Sequence, residues 1–311
     1  MYEESKYFQA GNIRIYWYGV FIALGALGLL LCLAGLAKKR SLNTLTVPVF
    51  GALSLPLGIV CSRLVFCLLD FRFHVMFSLQ AVLQFWGGGF SMTGALAGMA
   101  LAAVLAARLL RSDALDLMDI LFPAAMLFIF FARLGEGCTE LLGRSRTLNA
   151  AWLTNTFLAW SDGYDAYLNT WLLEAITAAF LHVILCCVIL PKCSRKGDTL
   201  LTGMLLLGCT QVFWESLRFD SHMRFSFVSM QQILFACMYA CPLILFAMRC
   251  GKKALITAVI AVALSAGGAV GVEFLIDRSE VSNIICYCLY ALLLALPVVL
   301  GIHFRKRGLT S

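Results

Sequence analysis

Phe131-Ala132-Arg133-Leu134-Gly135-Glu136-Gly137-Cys138-Thr139-Glu140-Leu141-Leu142-Gly143-Arg144 decides how the rest of this 311-residue chain is read. It begins where the apolar run Ile120 to Phe131 ends, and it sets Arg133, Glu136, Glu140 and Arg144, with Arg146 just beyond, at the mouth of that run. Charge at bilayer depth costs ~2.5–3.5 kcal/mol per residue on insertion scales, so ionisable groups placed there are functional candidates by default. The plainer reading is a polar loop whose arginines lie among lipid headgroups.

The surrounding composition makes bilayer depth the right frame. The chain is 61% hydrophobic and 13% charged, where a soluble domain carries about 25% charged residues. Several apolar runs reach the ~20 residues a spanning helix needs. Glu3 and Glu4 occupy the place of a basic n-region, so no cleavable signal is expected. Most of the 13 cysteines lie inside apolar runs, where cysteine acts as a small hydrophobe. No Cys-x-x-Cys pair with partnering histidines occurs, so no metal, disulfide framework or cofactor is expected. Cys138 is the one cysteine in the opening stretch and the one functional candidate among them. The net charge of +7 is scattered over short loops and does not point to nucleic acid.

Nine spans follow from the apolar runs: about 15–37, 46–69, 86–107, 115–132, 168–190, 199–214, 228–248, 254–273 and 283–304. The sixth is short enough to be tilted or partly re-entrant. Alternate loops carry Lys38-Lys39-Arg40, then Arg108 and Arg111, then Lys192, Arg195 and Lys196, then Arg249, Lys252 and Lys253, then Arg305-Lys306-Arg307. These are 14 of the 24 basic residues, and the positive-inside rule makes their side cytoplasmic. The N-terminus is then outside and the C-terminus inside. Nine of the other ten basic residues are arginines, at or near the outer helix ends or, for Arg63, within a span. Arginine suits a site where phosphate or carboxylate is held by a two-pronged donor, and it also snorkels to headgroups. The polar segment 133–167 reads as an extracytoplasmic arm or lid with short interfacial helices, carrying Trp152, Trp160 and Tyr164. Gly87-Gly88-Gly89 marks irregular backbone entering the membrane. The fold expected is an all-α integral membrane protein, a polytopic helical bundle.

The residues that could carry chemistry share one side: Tyr18, Arg63, the segment Gly87 to Thr93, Arg133 to Arg144, Glu174, Glu215 and Arg218. A cavity lined by Arg63, Arg133 and Arg218, with Glu140, Glu174 and Glu215 orienting them, suits an anionic phospholipid. The carboxylates are needed because an unpaired charge in low dielectric is expensive. The alternative is that Glu174 and Glu215 staple helices through arginine. Transporters also keep buried ion pairs, so this much names no activity.

Several segments together resemble the prolipoprotein diacylglyceryl transferase family of the bacterial inner membrane. Trp17-Tyr18-Gly19 is similar to its Trp-Tyr-Gly opening of helix one, and Ser62-Arg63 to its Ala-Arg pair in helix two. Gly88-Gly89-Phe90-Ser91-Met92-Thr93-Gly94 resembles its Gly-Gly-Met-Ser-Phe-His-Gly segment. Arg133-Leu134-Gly135 through Gly143-Arg144 resembles its signature Arg-Ile-Gly-Asn-Phe-Ile-Asn-Gly-Glu-Leu-Trp-Gly-Arg, one residue shorter. Leu172-Leu173-Glu174, Glu215-Ser216-Leu217-Arg218 and Ser229-Met230-Gln231-Gln232 resemble Leu-Tyr-Glu, Glu-Phe-Phe-Arg and Ser-Met-Gly-Gln. The matches run in order from about residue 13 to 248. On this resemblance residues 1–250 form a transferase-like membrane domain of seven family-like spans. Residues 251–311 add two C-terminal spans.

The resemblance implies transfer of a diacylglyceryl group from phosphatidylglycerol to the lipobox cysteine thiol of a prolipoprotein, with glycerol phosphate released. It implies Arg133, Glu136 and Glu140 as catalytic residues. It implies Tyr18, Arg63, Thr93, Gly143, Arg144, Glu174, Gln211, Glu215 and Arg218 as substrate-binding residues. Four departures stand out: Thr93 replaces the family histidine, Glu136 replaces an asparagine, Gln211 replaces an arginine, and Leu168-Asn169-Thr170-Trp171 replaces His-Pro-Ser-Gln. They leave open a catalytically altered paralogue that binds or transfers another phospholipid-derived group. Where the histidine is lost, Glu136 or Glu140 is the expected proton acceptor.

Overall fold

A computed structural model describes residues 6–69, 79–85, 88–139, 144–147, 156–161, 166–193, 195–218, 224–225, 228–278 and 282–308. The described residues hold nine helices long and apolar enough to cross a membrane, and the protein is a polytopic helical membrane protein. They fall into two compact units, Met1–Pro191 with Leu217–Ser221, and Lys192–Ser216 with His222–Ser311.

In the first unit a hairpin of β1 (Tyr7–Ala10) and β2 (Ile13–Tyr16) leads into α1 (Trp17–Lys39). Then come α2 (Thr46–Leu69), the short α3 (Leu79–Leu83), α4 (Met92–Leu109) and α5 (Ala114–Glu136). Strands β3 (Arg144–Thr147), β4 (Ala159–Ser161) and β5 (Ala166–Asn169) form one antiparallel sheet with β5 central. Helix α6 (Thr170–Ile184) continues through a π-helical turn, Leu185–Ile189, and a 3₁₀ turn, Leu190–Lys192.

Small residues let these helices approach closely. A Cβ on Gly94 or Gly98 of α4 would lie 2.5 Å from a backbone carbonyl of α2, Cys61 or Leu57. This small-xxx-small spacing brings backbones together where lipid supplies no hydrophobic drive. Gly25 does the same for α1, where a Cβ would lie 3.1 Å from the Phe128 carbonyl of α5.

In the second unit α7 (Asp198–Leu217, but for its last residue) packs on α8 (Met230–Met248) through Gly208, whose Cβ would lie 2.8 Å from Phe235 O and Tyr239 N. The ribbon of β6 (Arg224–Phe225) and β7 (Val228–Ser229) precedes α8, which opens on a Ser229–Gln232 capping box. Helices α9 (Lys252–Arg278) and α10 (Asn283–Arg307) complete the unit. Buried polar bonds tie them to α8. The Gln232 amide donates to Glu273 at 2.5 Å and to Tyr290 at 3.4 Å, and Tyr239 bonds Ser265 at 2.9 Å.

Three expectations change. The sixth span is a continuous 20-residue helix, long enough for ~30 Å; its hydropathy is low because Asp198, Gln211 and Glu215 point to its buried side. Past the end of α5 at Glu136, the described residues of the arm form turns and strands rather than helices. Its aromatic-containing strand Ala166–Asn169 pairs on both edges, and Trp160 packs on Tyr167 with ring centroids 5.8 Å apart. Trp152 and Tyr164 lie outside the described residues. The third span starts at Met92 rather than 86, because Gly88 and Gly89 take φ of +74° and +81°, the left-handed region open to glycine.

Candidate functional site

Arg133 and Glu136 lie in the last turn of α5, not in a loop. Their i,i+3 spacing puts them on one face, and Arg133 Nη1 meets Glu136 Oε1 at 2.6 Å. Glu174, in the first turns of α6, is fully buried between two arginines. Its Oε1 accepts from Arg218 Nη1 at 2.6 Å, and its Oε2 lies 2.8 Å from Arg133 Nε, an ion contact without hydrogen-bond alignment. Arg218 Nη2 reaches Glu136 Oε2 at 3.1 Å. The four side chains therefore close a ring, Arg133–Glu136–Arg218–Glu174, of formal charge zero.

The four members are not equally fixed. Glu174 is 0% exposed at its side chain and Glu136 is 12% exposed. Glu174 is the fully enclosed member and Glu136 the more accessible one. Arg218 is held from behind, because its backbone bridges Ser145 of β3, and the Ser145 hydroxyl accepts from Leu168 N at 2.8 Å. The arm's sheet thus positions a ring arginine. Arg133 Nη2 also contacts Met92 Sδ at 3.5 Å.

Around the ring, Tyr18 packs on the α5 terminus, where a Cβ on Gly135 would lie 3.2 Å from Tyr18 Cδ2. Thr93, beside Met92, shares a 2.8 Å hydroxyl bond with Ser91, whose carbonyl accepts from Ser62 at 2.7 Å. Arg63 is buried. Its Nε donates to Val82 O at 3.1 Å, its Nη1 to Gly89 O at 3.0 Å and also to Gly88 O. It thereby holds the glycine turn that starts α4. Gln211 and Glu215 are buried one turn apart on α7, in the second unit. Glu140 and Gly143 lie outside the described residues, as does Gly87, and Arg144 is described only as backbone of β3. Burial raises the Cys138 thiol above its usual range, partly opposed by Lys6, and a protonated thiol is a poor nucleophile.

Sequence reasoning gave Trp171 no role and reached Met92 only as part of the segment Gly87 to Thr93. The Trp171 ring fills the space where a Gly137 Cβ would sit, 2.8 Å away. Only the glycine itself hinted at such a close approach.

Two buried guanidiniums beside a partly exposed carboxylate have the donors to hold an anionic oxygen ligand. The family model for prolipoprotein diacylglyceryl transferase matches residues 5–248. The chain belongs to this family. Among relatives, the phosphatidylglycerol–prolipoprotein diacylglyceryl transferase of Bacillus licheniformis is 26% identical over 250 residues, 78% of this chain and 91% of the relative. Proteins of the same name from Listeria monocytogenes (25%, covering 69% of this chain and 79% of the relative) and Lactococcus lactis (26%, 69% and 83%) are also similar. With bacterial relatives and nine apolar helices, the protein is a multi-pass bacterial membrane protein of the prolipoprotein diacylglyceryl transferase family. Helices α9 and α10 lie beyond the match.

Proposed function

We propose that this family member transfers a diacylglyceryl group from phosphatidylglycerol to the lipobox cysteine of a prolipoprotein. It does so at the outer face of the bacterial cytoplasmic membrane, with its N-terminus outside and its C-terminus in the cytoplasm. The observation that carries the reading is the buried Arg133–Glu136–Arg218–Glu174 ring. Phosphate replaces Glu136 between the two arginines, while Glu174 keeps both oriented. The displaced Glu136 carboxylate, or Glu140, takes the proton of the incoming thiol. Sulfur then bonds the glyceryl carbon, the bond from that carbon to the phosphate oxygen breaks, and the electron pair leaves on glycerol phosphate. A thiol is already a few per cent thiolate near neutral pH, so a weak base suffices. Tyr18, Arg63, Thr93, Gly143 and Arg144 complete the substrate-binding set in this reading.

The experiment is mass spectrometry of a lipobox peptide incubated with purified protein and phosphatidylglycerol. A diacylglyceryl adduct is expected on the cysteine. Glu136→Gln should slow its formation about 10²-fold, the usual worth of a general base, while lipid stays bound. No adduct, together with equal lipid binding by wild type and Arg133→Ala, would sink both the transfer and the clamp. One observation favours a second reading: both ring arginines are already neutralised by carboxylates, Glu136 standing where the family has asparagine. In that case the protein is an altered paralogue handling another phospholipid-derived group. Transfer that appears only in Glu136→Asn would select this second reading.

A further inference from the structure

At the other end of the first unit's helices lies a second cluster that the transfer reading does not use. Cys32 of α1, His182 of α6 and Cys186 in the π-helical turn bring their ligand atoms within 4.8 Å of one another. Cys186 Sγ lies 3.9 Å from His182 Nδ1 and 4.0 Å from Nε2. The cluster is 8 to 12 residues along α6 from Glu174, roughly 12–18 Å.

We propose that Cys32, His182 and Cys186 form a zinc site that ties α1 to α6. Three observations support it. First, His182 Nδ1 lies 2.8 Å from the Pro123 carbonyl of α5. A carbonyl only accepts, so Nδ1 carries the proton and Nε2 keeps its lone pair for a metal. This backbone-oriented histidine is the usual outer support of a metal-bound imidazole. Second, the π turn begins three residues after His182 and contains Cys186. Such turns change the direction of a side chain at the cost of regular bonding, and they concentrate at functional sites. Third, the donor set selects the ion. Two thiolates and an imidazole are soft ligands that exclude magnesium and calcium. Two thiolates also balance a divalent ion, giving a neutral complex, whereas a monovalent ion would leave a net negative charge in an apolar surrounding. Binding releases the two thiol protons. Bonds of roughly 2.0–2.3 Å are reached from the observed spacing by small side-chain rotations. Three protein ligands leave one tetrahedral position to a small exogenous donor.

The test uses full-length protein purified in detergent without chelator. One zinc per chain is expected by elemental analysis. Cobalt(II) in its place should give a near-ultraviolet thiolate charge-transfer band. Cys32→Ser, Cys186→Ser and His182→Ala should each lower metal affinity at least tenfold, while Cys288→Ser on α10 leaves it unchanged. In wild-type protein, zinc should also protect Cys32 and Cys186 from maleimide, a readout that needs no variant to fold. The proposal is overturned if cobalt(II) gives no thiolate band and zinc gives no protection. A Cys32–Cys186 disulfide in protein isolated without reductant would equally overturn it.

Discussion

Of the two carboxylates that touch both Arg133 and Arg218, Glu174 is the fully buried one, and replacing it by alanine removes it from between them. Both guanidiniums would then lose their fully buried counter-charge. Breaking a buried ion pair by removing one partner costs about 3–5 kcal/mol, so Glu174→Ala should lower the thermal midpoint in detergent far more than Glu136→Ala, whose side chain is partly exposed. Equal shifts would show that the ring has no anchor. At this scale Arg133, Glu136, Glu174 and Arg218 were all visible as charges out of place in an apolar chain. Their pairing was not, because Arg218 is 44 residues from Glu174 and 82 from Glu136. The role of Arg63 was equally invisible, since backbone carbonyls leave no mark in residue types.

At the scale of elements, the glycines of α4 differ sharply from others in their surroundings. A Cβ on Gly98 would lie 2.5 Å from the Leu57 carbonyl and 2.8 Å from Gly58 Cα, whereas one on Gly35 of α1 would meet nothing within 4 Å. Gly98→Ala should therefore push α4 off α2 and destabilise by about 1–3 kcal/mol, the range of overpacking. Gly35→Ala should be neutral or gain up to ~1 kcal/mol of helix propensity. A thermal-shift comparison of the two variants decides it, and equal midpoints would remove the close-packing account. Helix positions were legible to within a few residues because runs of apolar residues need length alone. The strands of the arm were not. Segments of three or four residues carry too little pattern, and their pairing partner lies elsewhere in the chain.

For the whole molecule, the sharpest question is whether α9 and α10 are only an addition, since the family match ends at residue 248. Within the second unit α8 gives Gln232 and Tyr239 to Glu273, Tyr290 and Ser265. A chain ending at Arg249 strands these polar groups where water is scarce, and an unpaired buried polar group costs about 1–3 kcal/mol. Such a truncation should therefore accumulate poorly and unfold earlier, and co-expressing residues 251–311 should restore it. A truncated protein as stable as the full chain would show that the last two spans only accompany the rest. The zinc site belongs to this scale too. Cys32 is 150 residues from His182 in the chain, so no spacing rule could have found the three donors together.

The sequence by itself determined the class, a polytopic helical membrane protein, because apolar length and charge placement are properties of composition along the chain. It also determined the family, through ordered motifs, and it held the four ring residues within a longer set of candidate charges. Only the tertiary structure decided which charge meets which, that Glu174 is the fully buried carboxylate and Glu136 the partly exposed one, and that Arg63 serves a glycine turn. The physical reason is that burial and pairing depend on distances between segments far apart in sequence. For the stretch 131–144, the residue types announced a functional mouth. The last turn of α5, carried through Glu136, is what aims two of its charges at one point.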